Sequence, residues 1–275
     1  MWYNTGNVLC LPHTSPTLPS LSQEMLPVDA GFVFALHQES VGLLDRLKRS
    51  KKTRGDGWTF YTGTIENMSI AVVLSGAGQK NAEDATNVLL NVFAPKLICS
   101  AGYGGGLSSR LKQSMICVPE QVVRALDMQT LDLSSPIPRK VSPIPNKLTL
   151  LTVNEVVELP EQKRHLHEQT GAEIVDMETF AVAEVCRVRE VPFLSVRVIL
   201  DAVDDQIPKD IAKILDNVDR GFSRLTGTIF GSLWSRPTMV LDLVSLKRRA
   251  FTATERLAKF AIAELTRQRK KITTE

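Results

Sequence analysis

Cysteine is scarce in this chain: four among 275 residues, Cys10, Cys99, Cys117 and Cys186, with no CxxC pair and no histidine cluster beside them. That excludes a disulfide scaffold and a zinc site. Three of the four sit in apolar segments, which predicts buried thiols in a reducing, cytoplasmic setting. Long apolar runs are missing as well: Phe32–Leu36 and Ile70–Leu74 fall far short of the ~20 residues that a membrane-spanning helix needs. Neither charge is in excess, since 33 Lys and Arg against 30 Asp and Glu leave +3, too little to point to nucleic acid. No basic start followed by a continuous apolar stretch marks a secretory signal. No internal repeat, Walker lysine, GxSxG elbow or histidine-based triad or metal set occurs, so neither a metal nor a bound cofactor is expected. What is there, 43% hydrophobic and 23% charged residues, is the composition of an ordinary soluble globular protein.

The length suits one α/β domain with terminal extensions. Residues 1–30, rich in Pro, Ser and Thr, read as a poorly ordered extension. From Gly31 short apolar strands alternate with amphipathic stretches. Gly31–Leu36 reads as a buried strand and Ser40–Lys48 as a helix. Ser69–Gly76 is the next strand, followed by a helix near Asn81–Phe93. Lys96–Gly102 is a third strand, running into a flexible glycine-rich segment. Ser114–Val123 and Leu148–Val157 carry further β-type runs. Pro160 and Gly171 punctuate a short helix over Glu161–Thr170. Ala172–Met177 feeds a helix at Glu178–Arg189, and Val191–Leu200 is the most strand-like run of all. Strands alternating with helices predict a three-layer α/β/α domain over residues 31–232, with a central twisted, mostly parallel mixed sheet. A further helix is expected at Pro208–Leu225, and residues 233–275 read as an amphipathic, basic helical extension.

Ligands of open α/β sheets bind beyond the carboxyl ends of the strands. At those ends stand Glu39, Ser75, Gly76, Gly78, Gly102–Gly106, Met177, Glu178 and Asp201. Singly, each has an ordinary use: Glu39 and Glu178 as acids in a first helical turn, Asp201 as a cap, the glycines as turns. A dinucleotide fingerprint fails, because Asn81 stands where GAGQKN needs its third glycine and Leu107 ends the second glycine run.

Together the segments resemble the nucleoside phosphorylase/nucleosidase superfamily. SGAGQKNAEDATNVLL and FAPKLICSAGYGGGL are similar to its "SGIGKVNAA…P…INTG-AGGL" pattern. AEIVDMETFAVAEVCRVREVPFLSVRVILDAVDD is similar to "VDME-AA-A-VC…VPFL-VR-ISD-AD", and ALHQES resembles the "GAMEEE" opening of 5′-methylthioadenosine/S-adenosylhomocysteine nucleosidases. The resemblance implies cleavage of the N-glycosidic bond of a purine, adenine-type nucleoside. Asp201 would be the general acid that protonates or hydrogen-bonds the base, and Glu39 would activate water. Glu178 would hold ribose hydroxyls with Met177 against the sugar. The turns at Ser75, Gly76, Gly78, Gly102 and Tyr103 would line the anomeric side, and Val156 and Val157 would occupy the base-stacking segment.

Three positions depart from the pattern: Leu200 replaces a serine before the aspartate, Tyr103 a small residue, and Val156–Val157 an aromatic. The nucleophile is read as water, because LICSAG carries no phosphate-binding arginine and Glu39 stands at the water-activating position; phosphate as co-substrate, giving ribose 1-phosphate, is the alternative. An inactive nucleoside-binding module is another. The C-terminal stretch resembles hopanoid-associated members of the superfamily, which gives the basic tail a possible membrane-surface contact. The resemblance also implies a homodimer or higher homo-oligomer.

Overall fold

The computed structural model describes residues 25–55, 57–133, 147–207 and 252–267. In chain order the elements are β1 (Leu26–Val28), β2 (Ala30–Phe34), α1 (His37–Leu44), β3 (Lys48–Gly55), β4 (Trp58–Ile65), β5 (Met68–Leu74), α2 (Gln79–Val92) and β6 (Phe93–Pro95). There follow β7 (Ile98–Gly106), β8 (Ile116–Cys117), β9 (Gln121–Arg124), β10 (Thr130–Asp132), β11 (Thr149–Thr152), α3 (Pro160–Thr170), β12 (Ile174–Asp176), α4 (Thr179–Val188) and β13 (Phe193–Asp201). A last helix, α5, spans 252–267.

The central sheet has eleven strands and runs β10-β9-β11-β12-β7-β2-β5-β4-β3, with β13 beside β7 and β8 beside β13. The inner pairs β2–β5, β2–β7 and β7–β13 are parallel, whereas β12 meets β7 antiparallel. These inner strands are mostly apolar on both sides because both faces are covered, with Ser100, Ser195 and Arg197 as buried polar exceptions. Along β2 and β5, Phe32, Phe34, Ile70 and Val72 join the core on one face. Val33, Ala71 and Val73 join the core on the other, with Ala82, Ala85 and Leu89 of α2 and Val182 and Val185 of α4. The first face lies under Leu43 of α1 and Ala253, Leu257, Ala258, Ala261, Ile262 and Leu265 of α5. The layers are therefore α/β/α, as the alternation of strands and helices predicts.

Several boundaries differ from the sequence expectation. The first domain residue is earlier than Gly31, because Leu26–Val28 pair with Phe93–Pro95 and Ala30 is already in β2. The first helix is displaced: α1 ends at Leu44, and the lysine-rich segment beyond it is an edge strand, β3, zipped antiparallel to β4. Its cations suit an edge that must not pair with other chains. The glycine-rich segment after Gly102 is ordered strand, the second half of β7. The described part of the C-terminal extension is no appendage. Its buried positions Ala253, Leu257, Ala261 and Leu265 recur at helical spacing and lie in the main core. The apolar face of α5 is thus occupied by the sheet rather than offered to a membrane. Cys10 and the helix expected at Pro208–Leu225 lie outside the described residues, as do most of 1–30 and of 233–275.

Two expectations hold closely. Pro160 opens α3 and Gly171 closes it in the left-handed conformation at φ 68°. Cys99, Cys117 and Cys186 are buried, and burial pushes the thiols of Cys117 and Cys186 up to about 12, which keeps them unreactive.

Candidate active site

The site begins with a change of partner along β7. Its first half pairs with β2, from Gly31 opposite Ile98 to Val33 opposite Ser100. Its second half pairs on the same strand order with β12, Val175 opposite Gly105 and Ile174 opposite Gly106, while β13 accompanies it throughout. Where β2 ends and β12 begins, the sheet parts. Such switch points are where α/β folds bind ligands. The turns after β2, β5 and β12 bring Glu39, Ser75 and Glu178 to this gap. There they line a cavity of about 10 Å³ together with Ala35, Gly102, Tyr103 and Arg197. That is about the space one water molecule needs.

Glu39 is held from two sides. It is the third residue of α1, and its Oε2 accepts the backbone N–H of Leu36 at 2.8 Å, closing the first turn. Its Oε1 accepts the N–H of Tyr103 at 2.8 Å. A Cβ on residue 102 would lie 2.7 Å from Oε1, so only glycine lets the carboxylate reach the strand. The ordinary expectation, an exposed acid on a helix, fails: Glu39 is 5% exposed. Burial pushes its carboxyl up to about 7, against the pull of the two N–H groups and of Arg197.

Glu178 stands before α4 without capping it; its Oε1 accepts the N–H of Gly78, at the start of α2, at 2.7 Å. Burial, and next the charge of Asp176, push it up to about 8. The sign of the resulting pH dependence follows. The folded state binds a proton that the unfolded state, with a carboxyl near 4.5, has released, so this group's contribution to stability falls as pH rises from 4.5 to about 8. Glu178→Gln keeps an acceptor for Gly78 and cannot ionise. We expect its melting temperature to match the parent near pH 5 and to exceed it by roughly 5 °C or more at pH 8. Thermal melts across that range check this; a constant gap would contradict it.

Arg197 is the cation among the lining residues, and its donors are spent. Nε and Nη2 donate to Asp176 Oδ2 at 3.0 and 2.8 Å, Nη1 to the carbonyls of Ser100 and Val196, and Nη2 also to Ser100 Oγ and Thr179 Oγ1. Asp176 in turn accepts from Thr152 Oγ1 at 2.8 Å and from the N–H of Thr179 at 3.0 Å. The pair is buried and fully bonded, a brace between β12 and β13.

Asp201 lies apart from the small cavity. It ends β13, opposite Gly105, where a Cβ would stand 3.3 Å from its Oδ2. That oxygen accepts from Lys163 Nζ of α3, a lysine with no exposed surface. Gly105 thus clears room for Asp201 as Gly102 does for Glu39, so this glycine run acts by close approach rather than as a flexible nest. Of the remaining expected residues, Gly76 takes φ 79° in the turn after β5. Met177 is half-buried and lines no part of the cavity. Val156 and Val157 are half-buried in the loop before α3, with Val157 packed against the cluster of Leu107, Val123 and Leu151. The Tyr103 phenol turns to Thr254 of α5, 2.8 Å away, so the large side chain ties the last helix to the strand.

A wider groove of about 690 Å³ starts at Ala77 and Gly78 and runs between α2 and α4, past Arg124, Asn154 and Phe180. Its size exceeds that of the small cavity, but its charged groups are held by neighbours, Lys80 by Asp84, Arg124 by Asp127 and Glu184 by Arg187. The convergent carboxylates make the small cavity the candidate centre.

Sequence reasoning missed Lys163, Asp176 and Arg197. Arg197 had a signal, a lone cation inside an apolar strand, which must find a buried anion. Lys163 had none, lying in a helix of charged residues.

Comparison with known proteins gives the same direction. The chain is 22% identical over 219 residues to the 5′-methylthioadenosine/S-adenosylhomocysteine nucleosidase of Oceanobacillus iheyensis, covering 71% of this chain and 95% of that protein. It is 24% identical over 234 residues to the nucleosidase of the same name from Buchnera aphidicola, covering 77% and 93%. The futalosine hydrolase structure of Helicobacter pylori superposes with a TM-score of 0.61 at 18% identity, over 87% of this chain and 98% of that one. The family model described as the phosphorylase superfamily matches residues 30–151 and 148–229. Matched by that model over well more than half its length, the chain belongs to the phosphorylase superfamily.

Proposed function

We propose that this protein hydrolyses the N-glycosidic bond of a purine nucleoside of the adenine type. The observation that carries the reading is the gap in the sheet where Glu39 and Glu178 face a space of one water molecule's size. Cleaving such a bond passes through an oxocarbenium-like sugar, which needs a nucleophile at the anomeric carbon and help for the departing base. Glu39, held by two N–H groups with its carboxyl near 7, takes the proton of the attacking water. Glu178, anchored at Gly78, binds ribose hydroxyls. Asp201, at the end of β13, assists the base at its imidazole nitrogen. Water is favoured over phosphate because every N–H of Arg197, the cation among the lining residues, is already engaged. Exposed Leu126 and Val188 at the wide groove suit a homo-oligomer.

The test is product analysis with 5′-methylthioadenosine, S-adenosylhomocysteine, adenosine and inosine, with and without phosphate. Free base and free sugar are expected in equal amounts, at a rate that phosphate leaves unchanged. Ribose 1-phosphate would overturn the choice of water. Binding without base release from any of the four would replace the enzyme with a nucleoside-binding module.

A further inference from the structure

Among the described residues of α5, Thr254 is the buried polar side chain, 4% exposed on a face otherwise made of Ala, Leu and Ile. A buried hydroxyl is costly unless it is bonded, and this one has two partners. Its hydrogen goes to the carbonyl of Gln38 at 3.0 Å. A hydroxyl has a single hydrogen to give, so in the contact with Tyr103 at 2.8 Å the phenol donates and Thr254 Oγ1 accepts. Burial pushes the phenol up and keeps it protonated for that role. The approach of the two helices is equally specific: a Cβ on Gly42 of α1 would stand 2.9 Å from the Thr254 carbonyl and 3.1 Å from Ala258 Cβ.

These bonds close a ring. The Gln38 carbonyl belongs to the peptide group that carries Glu39. Glu39 Oε1 accepts the N–H of Tyr103, and Tyr103 returns through its phenol to Thr254. The other support of the carboxylate, the N–H of Leu36, lies in the same turn and moves with it. Tyr103 is therefore the contact that fixes Glu39 relative to the sheet, beside a cavity of one water molecule's size. Tyr103 is also a departure from the superfamily's pattern, so the tie rests on residues particular to this chain. We propose that Thr254 is a positioning residue: its hydroxyl holds the first turn of α1 against β7 and so keeps the Glu39 carboxylate at the Tyr103 N–H, facing the water. This rests on the assignment of Glu39 as the proton acceptor. Thr254 touches no reacting atom; it acts through Gln38 and Tyr103.

The charged and titratable groups around Glu39 are Arg197 of β13, Glu178 before α4 and Tyr103 of β7, with exposed His37 on α1 itself. Helix α5 adds Glu255, paired with Arg46 at 2.8 Å. Thr254→Val leaves all of them in place, keeps the shape of the side chain and removes both bonds. It is expected to lower kcat roughly 10–10²-fold with KM little changed, as a small misplacement of a reacting group does. The acid limb of kcat/KM should move to higher pH by about half a unit or more, because a carboxylate that loses an N–H partner is harder to ionise. Thr254→Ser keeps the hydroxyl and is expected to restore both. A merely structural threonine would lower the melting temperature yet leave kcat per folded enzyme and the acid limb at parental values. That result overturns the proposal, as does a serine variant no better than the valine one. Should Thr254→Val fail to fold, Tyr103→Phe opens the same ring at its other end: a lowered kcat with a displaced limb supports the proposal, and parental values overturn it. The ionisation of Glu39 is also followed without substrate, from thermal melts of the parent and of Thr254→Val, each against its own Glu39→Gln version, between about pH 5 and 8. A parent that releases no base removes the assignment of Glu39, and the positioning is then decided by these melts: a dependence displaced to higher pH in Thr254→Val supports it, and coincident curves overturn it.

Discussion

Glutamine in place of Glu39 is expected to slow base release by roughly 10²–10⁴-fold, the range in which a positioned proton acceptor contributes. The protein should remain folded, because two effects on stability oppose each other. Glutamine offers one oxygen to two N–H groups, those of Leu36 and Tyr103, so one of them loses its partner at a cost of about 1–3 kcal/mol. Against that, a carboxyl held at about 7 by burial resists ionisation, and the amide escapes this penalty. The sign differs between activity and stability. As a base, Glu39 must be ionised, so kcat/KM of the parent should rise as pH passes through about 7. The folded state, however, favours its protonated form, so this group's contribution to stability declines from 4.5 to about 7. The Gln variant should lose both dependences. A variant with parental turnover, or with an unchanged acid limb, would take Glu39 out of the chemistry.

Ending the chain at residue 251 is expected to abolish folding rather than trim an accessory segment. Helix α5 buries Leu257, Ile262 and Leu265 against the sheet, and Ala253, Ala258 and Ala261 let it approach closely. A fully buried Leu or Ile contributes roughly 1.5–3 kcal/mol, so the three large side chains alone rival the roughly 5–15 kcal/mol that holds a domain folded. The loss is greater still, since Phe32, Phe34, Ile70 and Val72 would lose the cover of that helix. Polar ties go too, among them Arg46 to Glu255 at 2.8 Å, Tyr103 to Thr254 at 2.8 Å and Thr254 Oγ1 to the carbonyl of Gln38 at 3.0 Å. Far-UV and near-UV circular dichroism of the truncated chain check this. A cooperative melt with a parental midpoint would show that α5 is dispensable.

What was legible in the sequence was what local chemistry dictates. Strands β2, β5 and β13 are mostly apolar on both faces because both faces are buried, and in FLSVRVIL the β-branched run outweighs the single arginine. Helix α3 is bounded by Pro160 and Gly171, whose backbone preferences do not depend on the rest of the fold. Segments whose form is set by distant partners were hidden. Lys48–Gly55 has the composition of a loop, and only pairing with β4 makes it a strand. The glycine-rich run over 102–106 suggests mobility, whereas Gly102 and Gly105 let Glu39 and Asp201 stand against β7. The carboxylates Glu39 and Glu178 were found because each follows a strand ending at the same edge. Lys163 was not, since burial of a lysine in EQKRHLHEQ is decided by a carboxylate 38 residues further on.

The bond between Thr254 and the carbonyl of Gln38 spans 216 positions of chain. The residue next to Gln38 is the proposed proton acceptor, so the candidate site is completed by a segment made long after it. Until that helix arrives, the first strand and its neighbours present an uncovered apolar face, and the growing polypeptide depends on chaperoning or on rapid completion of synthesis to escape aggregation. Long-separation contacts of this kind also slow spontaneous refolding.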